Sequence, residues 1–432
     1  MTDRVPDRVP AVGGVRLVPA PDPIARDYLL VALRLDQHRP GLVDAYYGPA
    51  ELKAAADMEQ RRPPARLADD AAALRDRLPS EVADPERREW LRAQLVALET
   101  QAREAAGEAL PYETLVERCF DHRMGRVDDA TFEGAAAELD ALLPGDAPLE
   151  DRLAAWDERV TIPPDRVPAA ADHLAATFRA RAERLFGLPD GEATRVSMVR
   201  DRPWSGYNWY EGGRRSRVEI NLDLPIRAGD LVHTVAHETY PGHHLEASTK
   251  EARLVDGEGR VELTLLSINT PECLIHEGLA DLGYRFAVPP ADEAATLEAL
   301  FRIAGIPAAD DPSAARALAE TQVRVGRARR ALRGIGGNAA LLRHVDGRSR
   351  AEVVDYLVTV GRQAPARARQ RLDFIEHPLW RTYVFVYREG EVLLARWLEA
   401  VPESERAARF ARLLAEARSP SSIERELAAG LS

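Results

Sequence analysis

Four of the ten histidines in the chain, His233, His237, His243 and His244, fall within twelve residues of each other. They lie in the stretch D-L-V-H-T-V-A-H-E-T-Y-P-G-H-H-L at Asp230–Leu245, where Glu238 directly follows His237. A neutral imidazole is a common zinc ligand, and a carboxylate beside one can serve as general base toward a metal-activated water. The usual spacing for such a helix, H-E-x-x-H, puts both histidines on one face. Here the i+4 position after His237 is Pro241, and the next histidines stand six and seven residues on.

That spacing has a geometric consequence. On an unbroken helix His243 would lie about 9 Å farther along the axis and on nearly the opposite face from His237, so the two could not share an ion. Pro241 removes a helical N–H and clashes with the preceding turn, Tyr240 is pushed away from helical geometry, and Gly242 supplies a joint. A kink at Tyr240–Gly242 is therefore expected to swing His243 back over His237, with His244 as the alternative ligand. Without the kink, His233 and His237 form an ordinary i, i+4 pair that has no glutamate behind its first histidine. Otherwise His233 reads as a supporting or packing residue.

These residues carry a resemblance. H-E-T-Y-P-G-H-H-L-E resembles H-E-x-G-H with two extra residues, the pattern of the Taq-type metallocarboxypeptidases. Its P-G-H form is similar to the bacterial family called domain of unknown function 885, grouped with the gluzincin peptidases. Downstream, T-P-E-C-L-I-H-E-G-L-A-D-L-G at Thr270–Gly283 has an E-G-L-A core. That core resembles the helix that delivers a glutamate as third zinc ligand in gluzincin aminopeptidases. The resemblance implies one Zn2+ per chain held by His237, His243 and Glu277, with Glu238 as base. It also implies a mostly α, gluzincin-like fold with a small β-sheet beside the active-site helix. Only these two motifs are specific.

Glu272 competes with Glu277 for the third position, but the two are five apart and one helix cannot aim both at a single ion. Glu277 precedes Gly278, which would let the metal helix approach closely; Glu272 reads instead as a cap or a substrate contact. Two histidines and a carboxylate leave a position open for water, as a catalytic zinc site requires. Asp281 and Glu246 stand where further carboxylates could orient the ligand histidines. An oxyanion donor is also needed. Tyr383 and Tyr387, in W-R-T-Y-V-F-V-Y-R-E-G, are spaced for one helical face, with core packing an equal reading. His377 and Arg381 are weaker candidates for oxyanion or substrate-carboxylate contacts, and Asn221 is a candidate for substrate binding. One arginine of Arg324–Arg343 could bind a peptide carboxylate, although a solvated helix face explains that run as well.

The chemistry expected is metal-assisted hydrolysis of peptide bonds in short substrates, carboxypeptidase- or oligopeptidase-like. The alternatives are an amidase or esterase acting on a small non-peptide, or a zincin-fold protein that binds metal without catalysis. Glu238 counts against the last, because a structural site needs no base.

The elements that must position these groups follow from the rest of the chain. At 432 residues, 45% hydrophobic and 30% charged, the composition is that of a globular protein with a large core. A net charge of −12 argues against nucleic acid or an anionic membrane as partner. The absence of a signal-peptide core and of transmembrane-length apolar runs, with only two cysteines, points to the cytoplasm. Met1–Pro23 reads as an irregular arm. An N-terminal helical region is expected through residue 187, and a zincin-like catalytic region over 188–432. In the first, helical periodicity covers the stretch after Asp22-Pro23, residues 65–106 with breaks near Pro79 and Pro85, and segments up to Phe186, while D-A-Y-Y-G-P at Asp44–Pro49 reads as a turn. Strands are expected at Ala193–Val199 and Ser216–Leu224, joined by the Gly/aromatic turn W-S-G-Y-N-W-Y-E-G-G. Asp230 is the expected N-cap of the metal helix. A loop is expected at Asp256–Arg260, a turn at Gly334–Asn338, and a long helix over Trp380–Ala400.

Overall fold

The computed structural model of the chain describes residues 18–202 and 204–430, so most of the expected N-terminal arm lies outside the described residues. The described chain is mostly helical with two small sheets. The N-terminal helices start where proline and acidic caps predict. Pro23–Asp36 is capped by Asp22, whose side chain accepts from Ala25 N, and Pro85–Ala105 is capped by Asp84. Pro79 does not break its helix, Pro64–Glu81; it sits in the last turn, where few hydrogen bonds remain to lose.

The apolar faces of the helices meet in two cores. One gathers residues from Ile24 to Phe132 with Leu254–Leu274 and Ile335–Val386; the other gathers Leu139–Ala182 with Ile220–Ala328 and Leu393–Leu427. Each core thus draws on both sides of the 187/188 divide.

Among the described residues five strands form two sheets. β1 (Val43–Tyr46) pairs antiparallel with β5 (Leu265–Ser267). The D-A-Y-Y stretch is therefore largely strand, its β-forming tyrosines paired to a segment more than 200 residues away that no local pattern announces. β2 (Ala193–Val199), β3 (Gly206–Gly212) and β4 (Arg215–Asn221) form a second sheet in the order β2-β4-β3, with β2 and β4 parallel and β3 and β4 antiparallel. The Gly/aromatic stretch expected as a turn is mostly β3 itself. Its Tyr207, Trp209 and Tyr210 pair across to Glu219, Arg217 and Ser216, and the turn shrinks to Gly212–Arg214.

The metal helix runs Ala228–Glu238, starting before Asp230; Asp230 lies in the first turn and pairs with Arg227. The chain then leaves helical geometry at Thr239 (φ −115°, ψ −92°) and re-enters it at His243–Lys250. The reversal is tight enough that a Cβ on Gly242 would fall 1.9 Å from the His237 carbonyl oxygen. Only glycine fits. The second helix continues into a π-helical turn, Glu251–Asp256, in place of the expected loop start. From there Glu251 accepts hydrogen bonds from Gly213 N at 2.8 Å and Arg214 N at 2.7 Å, tying the β3–β4 turn to the metal segment.

The helix Pro271–Ala287 carries Glu277, and Val386–Glu399 crosses it. At the crossing a Cβ on Gly278 would lie 2.3 Å from the Gly390 carbonyl carbon. Gly278 does allow a close approach, but of Val386–Glu399 rather than of the metal helix. The expected continuous helix over Trp380–Ala400 is instead a 3-10 turn, Tyr383–Phe385, followed by Val386–Glu399. Gly334–Asn338 is helical rather than a turn: a 3-10 segment, Leu332–Gly334, leads into Ile335–His344. Its glycines are needed for contacts, with Phe385 Cε1 only 3.0 Å from where a Gly337 Cβ would be.

Candidate metal centre

The break at Tyr240–Gly242 sets His243 against His237, with ring centroids 4.5 Å apart at 81°. Both rings are buried and meet the Glu277 carboxylate from the neighbouring helix. His237 Nε2 is 3.3 Å from Glu277 Oε2, and His243 Nε2 is 3.8 Å from the same oxygen. Ligands held about 2.0–2.1 Å from a tetrahedral zinc are about 3.3 Å from one another, so the three atoms need move little to share an ion.

Three groups of possible ligands meet here: His237–His243–Glu277, His233–His237–Asp281 and His243–Glu246–His276. Hydrogen bonding separates them. Asp281 is bound by His233 Nε2 at 2.9 Å and by Arg333 Nη1 at 2.9 Å. Glu246 is bound by Lys250 Nζ at 2.7 Å and by His276 Nδ1 at 2.6 Å. Glu277 differs: Oε1 accepts from the Tyr383 hydroxyl at 2.7 Å, while Oε2 is buried with no hydrogen-bond partner. A buried carboxylate oxygen left bare between two imidazoles is what a cation would satisfy.

The electrostatics agree. Burial opposes charge on His237, yet Asp281 and Glu277 outweigh it and raise its pKa well above the ordinary value. Its surroundings therefore favour positive charge at that point. Burial, reinforced by His276 and His237, pushes His243 far down and keeps it neutral, the state a ligand needs. Burial raises the Glu238 carboxyl to about 7, with His237 pulling it down and Glu277 adding to the rise. β3 lies alongside, and Asn208 Nδ2 donates to the Glu238 carbonyl at 2.6 Å.

Of the supporting residues, Asp281 stands behind His237 as expected, its Oδ1 3.2 Å from Nδ1, and His233 shares that carboxylate. Glu246 does not hold His243. It holds His276, whose ring stacks on His243 at 3.8 Å between centroids. His276 is the residue that sequence reasoning passed over, although it directly precedes Glu277. Tyr383 is buried on Glu277, and Tyr387 is 42% exposed with its ring 6.5 Å from that of His237.

Other candidates fall elsewhere. His244 is fully buried on the far side of the reversal, with Nε2 2.8 Å from Glu192 Oε2 and Nδ1 2.9 Å from the Ser216 hydroxyl. It is no ligand, because successive residues at the start of a helix point about 100° apart. Glu272 accepts from Trp90 Nε1 and from Lys250 Nζ, each at 2.7 Å, which makes it a structural carboxylate. The Arg381 guanidinium pairs with Glu104, and the His377 ring accepts from Leu379 N at 3.1 Å. Asn221 Nδ2 donates to the carbonyls of Arg202 and Trp204, fixing a loop rather than facing the centre.

Asp44, on β1, was also not anticipated. It is solvent-exposed and accepts from the Tyr207 hydroxyl, yet burial and Glu277 raise its pKa. Tyr387 is likewise exposed and has its pKa raised by burial and by Glu277. Both thus sense the charge of Glu277.

Among solved structures, the fold is similar to that of a "putative lipoprotein" from Colwellia psychrerythraea, with 13% sequence identity and a TM-score of 0.52. The likeness covers 84% of this chain and 66% of that one, so this chain spans about two thirds of that protein's length. At this identity the likeness concerns the fold alone. No helix among the described residues is long and apolar enough to cross a membrane. No family model matches the chain, and no curated protein matches it.

Proposed function

We propose that the chain is a metal-dependent hydrolase of the zinc-peptidase kind, cleaving peptide bonds in short substrates. One observation carries the reading. Glu277 Oε2 is buried without a hydrogen bond between the Nε2 atoms of His237 and His243, and Glu238 follows the first of these in the chain. His237, His243 and Glu277 would hold a zinc-type ion, which would supply Lewis acidity for activating water and polarising a carbonyl.

The chain's own residues do the rest. Tyr383 occupies Oε1 of Glu277 and so turns Oε2 toward the imidazoles. Asp281, behind Nδ1 of His237, fixes the tautomer whose lone pair is on Nε2. Glu238 accepts the proton of the attacking water and passes it to the leaving amine. Tyr387, exposed beside His237, donates its phenolic hydrogen to the developing oxyanion. β3 stands at the edge of its sheet, so its outer N–H and C=O groups can align an extended peptide. The two buried cysteines, Cys119 and Cys273, are unpaired, which supports a reducing cytoplasm as the compartment.

The test is elemental analysis of the purified protein, followed by a peptide-library screen with Glu238→Gln as control. About one zinc per chain and turnover lost in that variant are the outcomes expected. A protein that takes up no metal on reconstitution sinks the reading.

A further inference from the structure

Lysine stands at only two positions, Lys53 and Lys250, among 58 lysines and arginines. Lys53 makes an i, i+4 pair with Asp57. Lys250 is buried, and its Nζ lies 2.7 Å from Glu246 Oε1 and 2.7 Å from Glu272 Oε1. Burial opposes its charge, yet the two carboxylates outweigh it and raise its pKa. An ammonium aims compact tetrahedral donors at two separate acceptors, whereas a guanidinium is a larger planar fork. That geometry accounts for a lysine here in a chain that otherwise uses arginine.

The ammonium joins the two helices that carry His243 and Glu277. On His243–Lys250, residues His243, Glu246 and Lys250 stand at i, i+3 and i+7, on one face. On Pro271–Ala287, Glu272 and His276 are one turn apart and Glu277 follows. Glu246 Oε2 is 2.6 Å from His276 Nδ1, and Glu272 Oε2 accepts from Trp90 Nε1 at 2.7 Å. The series Trp90–Glu272–Lys250–Glu246–His276 thus ends on the ring that stacks on His243, with 3.8 Å between centroids and 20° between planes. Both Glu246 oxygens are engaged, so the group His243–Glu246–His276 is a brace rather than a second ion site.

The two candidate histidine ligands are held differently. His237 Nδ1 lies 3.2 Å from Asp281 Oδ1, the kind of partner that fixes a ligand ring and its tautomer. His243 Nδ1 is buried, and among the described residues no hydrogen bond reaches it. The orientation of the His243 ring therefore depends on the surfaces packed against it, and His276 covers one of its faces.

We propose that His276 is a positioning residue for His243, its stacked ring taking the place of the hydrogen bond that His243 Nδ1 lacks, and that Lys250, acting through Glu246, holds His276 there. This rests on the metal-centre half of the hydrolase reading and is independent of cleavage.

The experiment measures the zinc affinity of the full chain by competition with a chromogenic chelator, together with the visible spectrum of the cobalt-substituted protein. His276→Ala should weaken zinc binding by about 10- to 100-fold, the range for loss of a group that orients a ligand. It should also change the cobalt d–d bands, because the His243 ring is then free to tilt. His276→Phe keeps a ring on His243 and drops only the bond to Glu246, so it should recover part of both. Lys250→Met should weaken zinc by a smaller factor and shift the bands in the same direction as His276→Ala. Where Lys250→Met does not fold, Glu246→Gln reads the same link, because it weakens the hold on His276 without stranding Glu272. His244→Ala is the control for stability: it should lower the urea midpoint and leave affinity and bands as in wild type. Wild-type affinity and bands in His276→Ala, or in His276→Ala a loss that His244→Ala reproduces at an equal urea midpoint, overturns the role of His276. Wild-type bands in both Lys250→Met and Glu246→Gln remove Lys250 from it. Zinc binding that weakens as expected, with no peptide cleaved by wild type, keeps the assignment and sinks the hydrolase reading. A wild type that binds no zinc sinks both.

Discussion

His243 and His244 are neighbours in the chain and belong to opposite kinds of network. Around His244 every polar atom has a partner. Glu192 accepts from Arg179 Nε at 2.9 Å and Nη2 at 2.6 Å, from the Tyr240 hydroxyl, and from His244 Nε2, while Ser216 satisfies Nδ1. Around His243 the accounts stay open: its own Nδ1 and Glu277 Oε2 are buried without a hydrogen bond. The closed network holds the fold together, whereas the bare carboxylate oxygen between two imidazoles is one that a cation would complete. Both are anchored by the same reversal, so the closed side braces the open one.

The largest expected effect tests that division. His237→Ala and His243→Ala should each abolish stoichiometric zinc, measured by elemental analysis after dialysis, because two remaining ligands do not hold a catalytic ion. His244→Ala should keep the metal while lowering the urea midpoint, since it strands part of a buried carboxylate's bonding. Metal that survives His243→Ala but not His244→Ala would reverse the assignment. Next in size is Glu238→Gln, which sharpens the open side. Zinc content should be unchanged while kcat/KM falls by about 10²–10⁴, the range for loss of a general base. A variant that keeps its rate removes Glu238 from the mechanism.

Acid should attack the closed side, and the direction follows from Glu192. Burial alone would raise this carboxyl, but hydrogen bonds from His244, Tyr240 and Arg179 outweigh it and bring it from 4.5 to about 2. A group depressed by folding stabilises the fold above its unfolded pKa, and that contribution fades as pH falls through the folded value. The window is therefore about 4.5 down to about 2, and the full contribution is on the order of 3 kcal/mol. Urea titrations of metal-free protein at pH 6 and pH 3 should show wild type losing roughly 2 kcal/mol more than Glu192→Gln over that interval. Glu246, also brought to about 2 against its burial by Lys250 and His276, titrates in the same window, so only the difference between wild type and variant isolates Glu192.

What could be read from the sequence followed how local each cause was. The broken helix was legible because proline and glycine act on their own backbone, and the displaced His243 was a matter of counting residues. The helix start at Asp22-Pro23 and the break near Pro85 were legible for the same reason. The hidden features are those decided across the chain. Trp90 claims Glu272 and Glu192 claims His244, and no spacing rule connects either pair. β3 was mistaken for a turn because its glycines stand at the ends of the strand and β-forming aromatics fill its middle. His276 was visible beside Glu277 all along, but its tie to Glu246 depends on two helices packing side by side.

The smallest effect expected is at Asn221, where closure on a loop competes with the substrate role suggested by its place at the end of β4. Its side chain donates to two carbonyls, Arg202 at 2.9 Å and Trp204 at 3.0 Å, and accepts from Asp223 N at 3.0 Å. Both amide N–H donors and the side-chain oxygen are thus engaged by the fold. Asn221→Ala should cost about 1–2 kcal/mol of stability, the usual loss for buried hydrogen bonds to backbone, and leave kcat and KM within about two-fold of wild type. A rise in KM without a fall in stability would move Asn221 from the closed class to the open one.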